Sequence, residues 1–135
     1  MAIWLLKTEP DVYSLANLQR DDTTVWDGVA NNLALKYLRQ MRPADRILIY
    51  HTGAVKAWVG MAAVKSEPRM DAKANDPHLV VVDISFECTL PQPVTLQALK
   101  AQAGLAGWEL LRMARLSVVP VSPSQWTILS RMADI

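Results

Sequence analysis

Val25-Trp26-Asp27-Gly28-Val29-Ala30-Asn31 leads straight into a run, Asn31 to Met41, with apolar side chains at Leu33, Ala34, Tyr37, Leu38 and Met41. That spacing is one face of a helix. A large flat ring, a glycine, an amide side chain and a helix N-terminus with free N–H groups thus fall within one short segment. Such a segment can pocket a flat polar ligand, with a ring to stack on, an amide to read an edge and backbone donors for oxygens. The plainer reading is a core tryptophan, a turn glycine and an asparagine helix cap.

Outward from this stretch, the flanks read as strands. Ala2 to Lys7 is almost continuously apolar and predicts a short buried strand that ends at Thr8-Glu9-Pro10-Asp11. Ser14 can cap a helix to Arg20, and Thr23 to Trp26 predicts a short extended segment. On the other side, Arg46 to Thr52 and Val55 to Lys65 predict two strands that pair as a hairpin. Gly60 inside the second marks a bulge or a close backbone approach. Ser66 to Pro77 is the most polar stretch and predicts a long surface loop. Leu79 to Thr89 predicts a third long strand, ended by Pro91 and Pro93. Thr95 caps a helix stopping near Gly104, and Gly107 to Arg115 predicts another. A strand over Leu116 to Val121 precedes a helix that opens at Ser122-Pro123 and runs to about Ala133. Few regular alternations of strand and helix occur. The order favours an α+β protein with a curved or barrel-like sheet and helices at its side, over a doubly wound one.

The 135 residues predict a single domain with a proper core, and 51% hydrophobic with 20% charged residues is an ordinary folded balance. A net charge of +1 is not the strongly basic signature of a non-specific nucleic-acid binder, so nucleic-acid binding would use a local basic patch or be weak. Cys88 is alone, which rules out an intramolecular disulfide framework and fits a reducing compartment. No export signal or membrane-length apolar run is present, so a cytoplasmic location is expected, with no membrane partner. Five tryptophans against one phenylalanine is unusual, because each buried indole N–H wants an acceptor.

Two histidines and one cysteine without paired spacing predict no metal site, and the scattered glycines make no phosphate loop. His51 follows Tyr50 at a strand end; it can act as a base with Glu9 or Asp27, bond a ligand, or be a satisfied structural histidine. Lys7 and Glu9 alternate onto one side of the first strand, so they can line a cavity or form a surface ion pair. Arg115 and Ser117 can contact a phosphate or sugar, although a solvated arginine is the more common case. Lys36, Arg39, Arg42 and Arg46 cluster around the central helix and its exit, either as the local basic patch or as a solvated face.

The ordered set Trp4-Leu5-Leu6-Lys7-Thr8-Glu9-Pro10, Trp26-Asp27-Gly28-Val29-Ala30-Asn31, Tyr50-His51, Val59-Gly60, Val82-Asp83-Ile84, Arg115-Leu116-Ser117-Val118 and Pro120 resembles the EVE domain. Within it, the pattern is similar to the thymocyte nuclear protein 1 family and its small bacterial counterparts. The resemblance runs end to end. It implies one PUA-like domain over residues 1–135, a curved, partly closed β-barrel with flanking helices. It also implies a non-catalytic reader that holds a modified nucleobase, such as a modified cytosine in DNA or RNA, in an aromatic-lined pocket after base flipping; a monomer without a cofactor is expected alongside it. By position, Trp26 would be the pocket aromatic and Asn31 would read a base edge. Gly28, Val29, Tyr50 and Trp58 would accompany them, Lys7, Glu9 and His51 would lie along the wall, and Arg115 and Ser117 on the opposite strand. Leu79 departs from the tryptophan frequent there in the family, and the turn after His51 is short, so the expected rim differs from the family's. Two rival readings stand beside this one: a small-molecule or nucleoside pocket or protein-interaction module, and a hydrolase or RNA-processing enzyme using His51 with Glu9 or Asp27.

Overall fold

The computed structural model describes all 135 residues, Met1–Ile135. In chain order the elements are β1 (Ile3–Thr8), α1 (Leu15–Asp21), β2 (Thr23–Trp26), α2 (Asn32–Gln40), β3 (Arg46–His51), β4 (Ala57–Val64), β5 (Arg69–Met70), β6 (Val80–Thr95), α3 (Leu96–Lys100), a 3-10 turn (Ala103–Leu105), α4 (Glu109–Arg112), β7 (Val118–Val121) and α5 (Pro123–Ala133). Helix starts follow local chemistry. Ser14 and Ser122 form capping boxes with Asn17 and Gln125, and the side chains of Asn31 and Thr95 accept from Ala34 N and Ala98 N.

The strands form one mixed sheet in the order β2-β6-β4-β3-β1-β7, with β5 added to β6. β1 runs parallel to β3 and antiparallel to β7, so its apolar run is buried between them. The expected hairpin is β3–β4, antiparallel, with a register shift at Ile49/Tyr50. Of the expected curved, partly closed barrel with flanking helices, the α+β architecture with one mixed sheet is present and the closure is not. The ladder is open, with four-residue strands β2 and β7 at its edges. α2 packs against both β6 and β7, so a helix fills the place where strand pairing would complete a barrel.

A second correction concerns Pro91 and Pro93, which do not end the strand: β6 is 16 residues long and passes through both. Its pairing with β4 jumps from Gly60↔Thr89 to Trp58↔Val94, so the prolines sit in a bulge that asks no ladder N–H of them. Gly60 faces this irregularity. A Cβ there would lie 2.6 Å from the Cys88 carbonyl oxygen and would also strike Leu15.

Two polar side chains tie the sheet to the segment between β1 and β3. Asp45 is buried; Oδ1 accepts from Ala2 N at 3.0 Å, and Oδ2 accepts from Trp4 Nε1 at 3.1 Å and Arg42 N at 3.0 Å. At the other end, His51 Nε2 accepts from Leu15 N at 3.0 Å, which anchors the start of α1. Partial burial holds the His51 imidazole below its ordinary value.

Asp45→Ala leaves three donors short of their acceptor, one of them a buried indole. It should lower unfolding free energy by about 2–4 kcal/mol, with a smaller loss for Asp45→Asn. Denaturant melts at unchanged m-value read this directly, and a loss below about 0.5 kcal/mol would refute the anchoring role. His51 makes a second prediction. Its folded pKa lies below its unfolded one, so the unfolded chain binds more protons between the two values. Stability should therefore be full above the ordinary imidazole value near 6.5 and fall as pH drops below it. His51→Gln should flatten that part of the stability–pH curve; superimposable curve shapes would show that His51 titrates alike in both states.

Candidate functional site

β2 is an edge strand paired only with β6, through Trp26↔Val82 to Thr23↔Ser85. Its exposed side opens a cleft of about 480 Å³ lined by Thr8, Val12, Tyr13, Thr24, Val25, Trp26, Asp27 and Lys73. Thr24 and Trp26 share a strand face by alternation. Trp26 is 8% exposed, and Tyr13 meets it edge-on, with centroids 6.2 Å apart and planes at 80°. The Tyr13 hydroxyl donates to Asp21 Oδ2 at 2.8 Å, and partial burial with that carboxylate pushes the phenol up, so it stays neutral. Thr8 Oγ1 donates to the Tyr13 carbonyl at 2.7 Å, which fixes the ring's backbone to the end of β1. Val12 and Val25 are 75% and 46% exposed, so the cleft has uncovered apolar walls. Asp27 contributes a carboxylate and Lys73, from the 66–77 loop, an ammonium. After Asp27, Gly28 takes φ +77°, a conformation that favours glycine, and Val29 turns inward to be buried.

Trp26 lines this cleft while most of its side chain is buried in the core, and its expected companions are dispersed. Asn31 spends its side-chain oxygen on Ala34 N at 3.0 Å, so it is a helix cap, and it lines a different cleft with Arg115. Lys7 and Glu9 do not share a cavity. The chain leaves the strand after Thr8, and the Glu9 carbonyl accepts from Val12 N and Tyr13 N, each at 2.9 Å, in a turn that leaves Glu9 exposed and outside the Trp26 cleft. Lys7 and Tyr50 line a third cleft of about 210 Å³. There Lys7 Nζ donates to the Ala114 carbonyl at 3.1 Å, and burial holds its ammonium below the ordinary value while pushing the Tyr50 phenol up. Trp58 is fully buried, with Nε1 donating to the Gly60 carbonyl at 2.9 Å and the ring packed 6.2 Å from Trp126; it is core. Ser117 serves the fold, its carbonyl accepting from Lys7 N at 2.9 Å. His51 is the satisfied structural histidine.

Of the four cations expected as a patch, Arg39 and Arg42 line one cleft, together with Glu67 and Arg69, while Arg46 and Lys36 lie outside it. Arg39 donates to the His78 carbonyl at 2.7 Å, and Arg42 lies 3.6 Å from Glu67 and donates to the Arg39 and Met41 carbonyls. Arg46 turns away to Glu87 at 3.9 Å, with its guanidinium 5.1 Å from the Trp126 ring centroid. Lys36 is exposed on α2. Sequence reasoning missed Thr8, Tyr13, Thr24 and Lys73 as neighbours of Trp26. Alternation along β2 marks Thr24, whereas nothing local to Lys73 brings its loop over the cleft. No cluster of three or more potential metal ligands is present.

Three comparisons bear on this arrangement. A structure from Rhodopseudomonas palustris, solved by NMR, is 35% identical with a TM-score of 0.93 and matches 99% of this chain and 94% of its own. Thymocyte nuclear protein 1 of Rattus norvegicus is 28% identical over 165 residues, covering 97% of this chain and 73% of the rat protein. The crystal structure of human THYN1 protein in complex with 5-methylcytosine containing DNA shares the fold, with a TM-score of 0.90 at 24% identity over 100% of this chain and 99% of that one. With the EVE domain pattern matched over residues 2–132, the chain belongs to the EVE domain family.

Proposed function

We propose that this protein binds nucleic acid by taking one modified base, a modified cytosine in DNA in the first instance, into the cleft beside Trp26. The observation that carries this reading is the cleft's composition: two aromatic rings at right angles, two uncovered valines and a few polar groups around a volume of about 480 Å³. The similarity in fold to a protein solved with 5-methylcytosine containing DNA supports the same choice of partner.

The chemistry follows from the lining. A flipped base leaves its stack at a cost of a few kcal/mol, and stacking on an aromatic returns on the order of 1–3 kcal/mol. Cytosine offers an exocyclic amine, which the Asp27 carboxylate accepts. Its ring nitrogen and carbonyl oxygen accept, which suits Lys73 and the Thr24 hydroxyl. A methyl group on the ring adds apolar area against Val12 or Val25. The wrong edge leaves Asp27 or Lys73 without a partner, which costs roughly 1–3 kcal/mol where water is excluded. The reading is non-catalytic, monomeric and cytoplasmic, with no cofactor. In its support, His51 commits the Nε2 lone pair to the Leu15 amide and so has none to spare there as a base.

Titration of tryptophan fluorescence with matched oligonucleotides, each carrying one normal or modified cytosine, tests this. Wild type should prefer a modified base, and Trp26→Ala should weaken binding about 5- to 150-fold, with Trp26→Phe retaining most of it. Asp27→Asn, at an exposed position, should erase the preference for cytosine without unfolding the protein. Equal binding of all oligonucleotides by wild type and Trp26→Ala would overturn the reading. Binding of the free nucleoside as tightly as the oligonucleotide would make the cleft a nucleoside pocket.

A further inference from the structure

Three connected clefts run from the segment that leads into β7 to the turn before β4 and the start of α3, with Lys7 joining them to β1. The first, about 380 Å³, is lined by Asn31, Arg112 and Arg115 among others. The second, holding Lys7, Lys56 and Lys100, shares Ala114 with the first. The third, about 430 Å³, shares Lys56, Leu96 and Lys100 with the second. No Asp or Glu lines any of the three. None of the five cations is in an ion pair, whereas Arg20, Arg42, Arg46 and Arg69 all are. In a chain of net charge +1 this is a strongly one-sided strip.

Two details point to an anionic ligand. Lys7 is half-buried, and the only hydrogen bond of its ammonium goes to the Ala114 carbonyl. Lys56 holds a left-handed backbone, φ +47°, which its carbonyl stabilises by accepting from Leu96 N at 2.8 Å. That turn holds the Lys56 side chain where the second and third clefts meet. The charges are spread over successive clefts instead of converging on one point. That suits a polymer with repeated phosphates better than one small anion. Lys7, which lines the strip, and Thr8, which lines the Trp26 cleft, are neighbours at the end of β1 with side chains on opposite faces, so a polymer on the strip would reach the cleft around the end of that strand.

We propose that this strip, Arg112, Arg115, Lys7, Lys56 and Lys100, is the track for the phosphates of the nucleic-acid strand whose base enters the Trp26 cleft. The inference rests on the base-binding reading for the strand's register but not for the track's charge. The paired arginines around the exit of α2 are then bystanders.

The test uses the full chain and two single-stranded DNA oligonucleotides of one sequence, with a single 5-methylcytosine or a plain cytosine, titrated across a series of KCl concentrations. The variants are a triple, Lys56→Asn with Lys100→Gln and Arg115→Gln, and a pair, Arg39→Gln with Arg42→Gln. All five positions are exposed, and thermal melts confirm that the variants fold. The triple should flatten the dependence of log Kd on log salt by about 0.7 per lost contact, close to 2 in all, for both oligonucleotides, and leave their affinity ratio unchanged. The pair should leave the slope alone. An unchanged slope in the triple overturns the track, as does a flattened slope in the pair instead, or the absence of salt-dependent binding by wild type. If wild type binds both oligonucleotides equally while the triple still flattens the slope, the track stands and the base reading falls.

Discussion

Parallel pairing of β1 with β3 is the constraint on which the rest of this structure depends, and Asp45 holds it at one end. Two parallel strands cannot be joined by a tight turn, so the chain must travel from the end of β1 back to the start of β3. That crossover carries α1, β2 and α2, and with them Tyr13, Trp26 and Asp27. Asp45 gathers the amide preceding β1, the indole of Trp4 and the amide that follows α2, so one carboxylate closes the circuit. The far end is tied by Thr52 N donating to the Thr8 carbonyl at 3.0 Å and by His51 accepting from Leu15. A buried carboxylate with three donors is stable only while every member is present. The Trp26 cleft is thus held by contacts made on both sides of it in the sequence.

Much of the fold was legible from local pattern, and the limits of that legibility are instructive. The helix from Asn32 to Gln40 follows from apolar spacing and an asparagine cap, and the last helix from Ser122-Pro123. The passage of β6 through Pro91 and Pro93 was not legible, because whether a proline costs a ladder bond depends on the partner strand, and β4 bulges there. The open sheet was equally hidden, since closure is decided by where α2 packs. Trp26 was identifiable as a ring before a glycine, but the groups around it converge only through the β1 turn, the edge position of β2 and the 66–77 loop. The basic residues show the converse error. Arg42 and Arg46 look free in the sequence because Glu67 and Glu87 lie far along the chain. Lys7, Lys56, Lys100 and Arg115 look unrelated for the same reason.

The division between a small cleft and a charged strip has a physical logic under the proposed reading. Extracting a base costs a few kcal/mol and one aromatic stack returns on the order of 1–3 kcal/mol, so the cleft adds selectivity but little net affinity. Affinity must then come from phosphate contacts, which act on any sequence. A strongly basic protein would gain that affinity everywhere on the polymer and be held by the excess of unmodified sites. In a chain of net charge +1, five unpaired cations along clefts without a carboxylate concentrate attraction for phosphates on that side of the surface. Arg20, Arg42, Arg46 and Arg69 are instead paired with Asp21, Glu67, Glu87 and Asp83. The ion pairs on the rest of the surface add little to stability individually. Their effect is to weaken the pull of those four arginines on phosphates, so the strip of Lys7, Lys56, Lys100, Arg112 and Arg115 stands out from the cations that are paired.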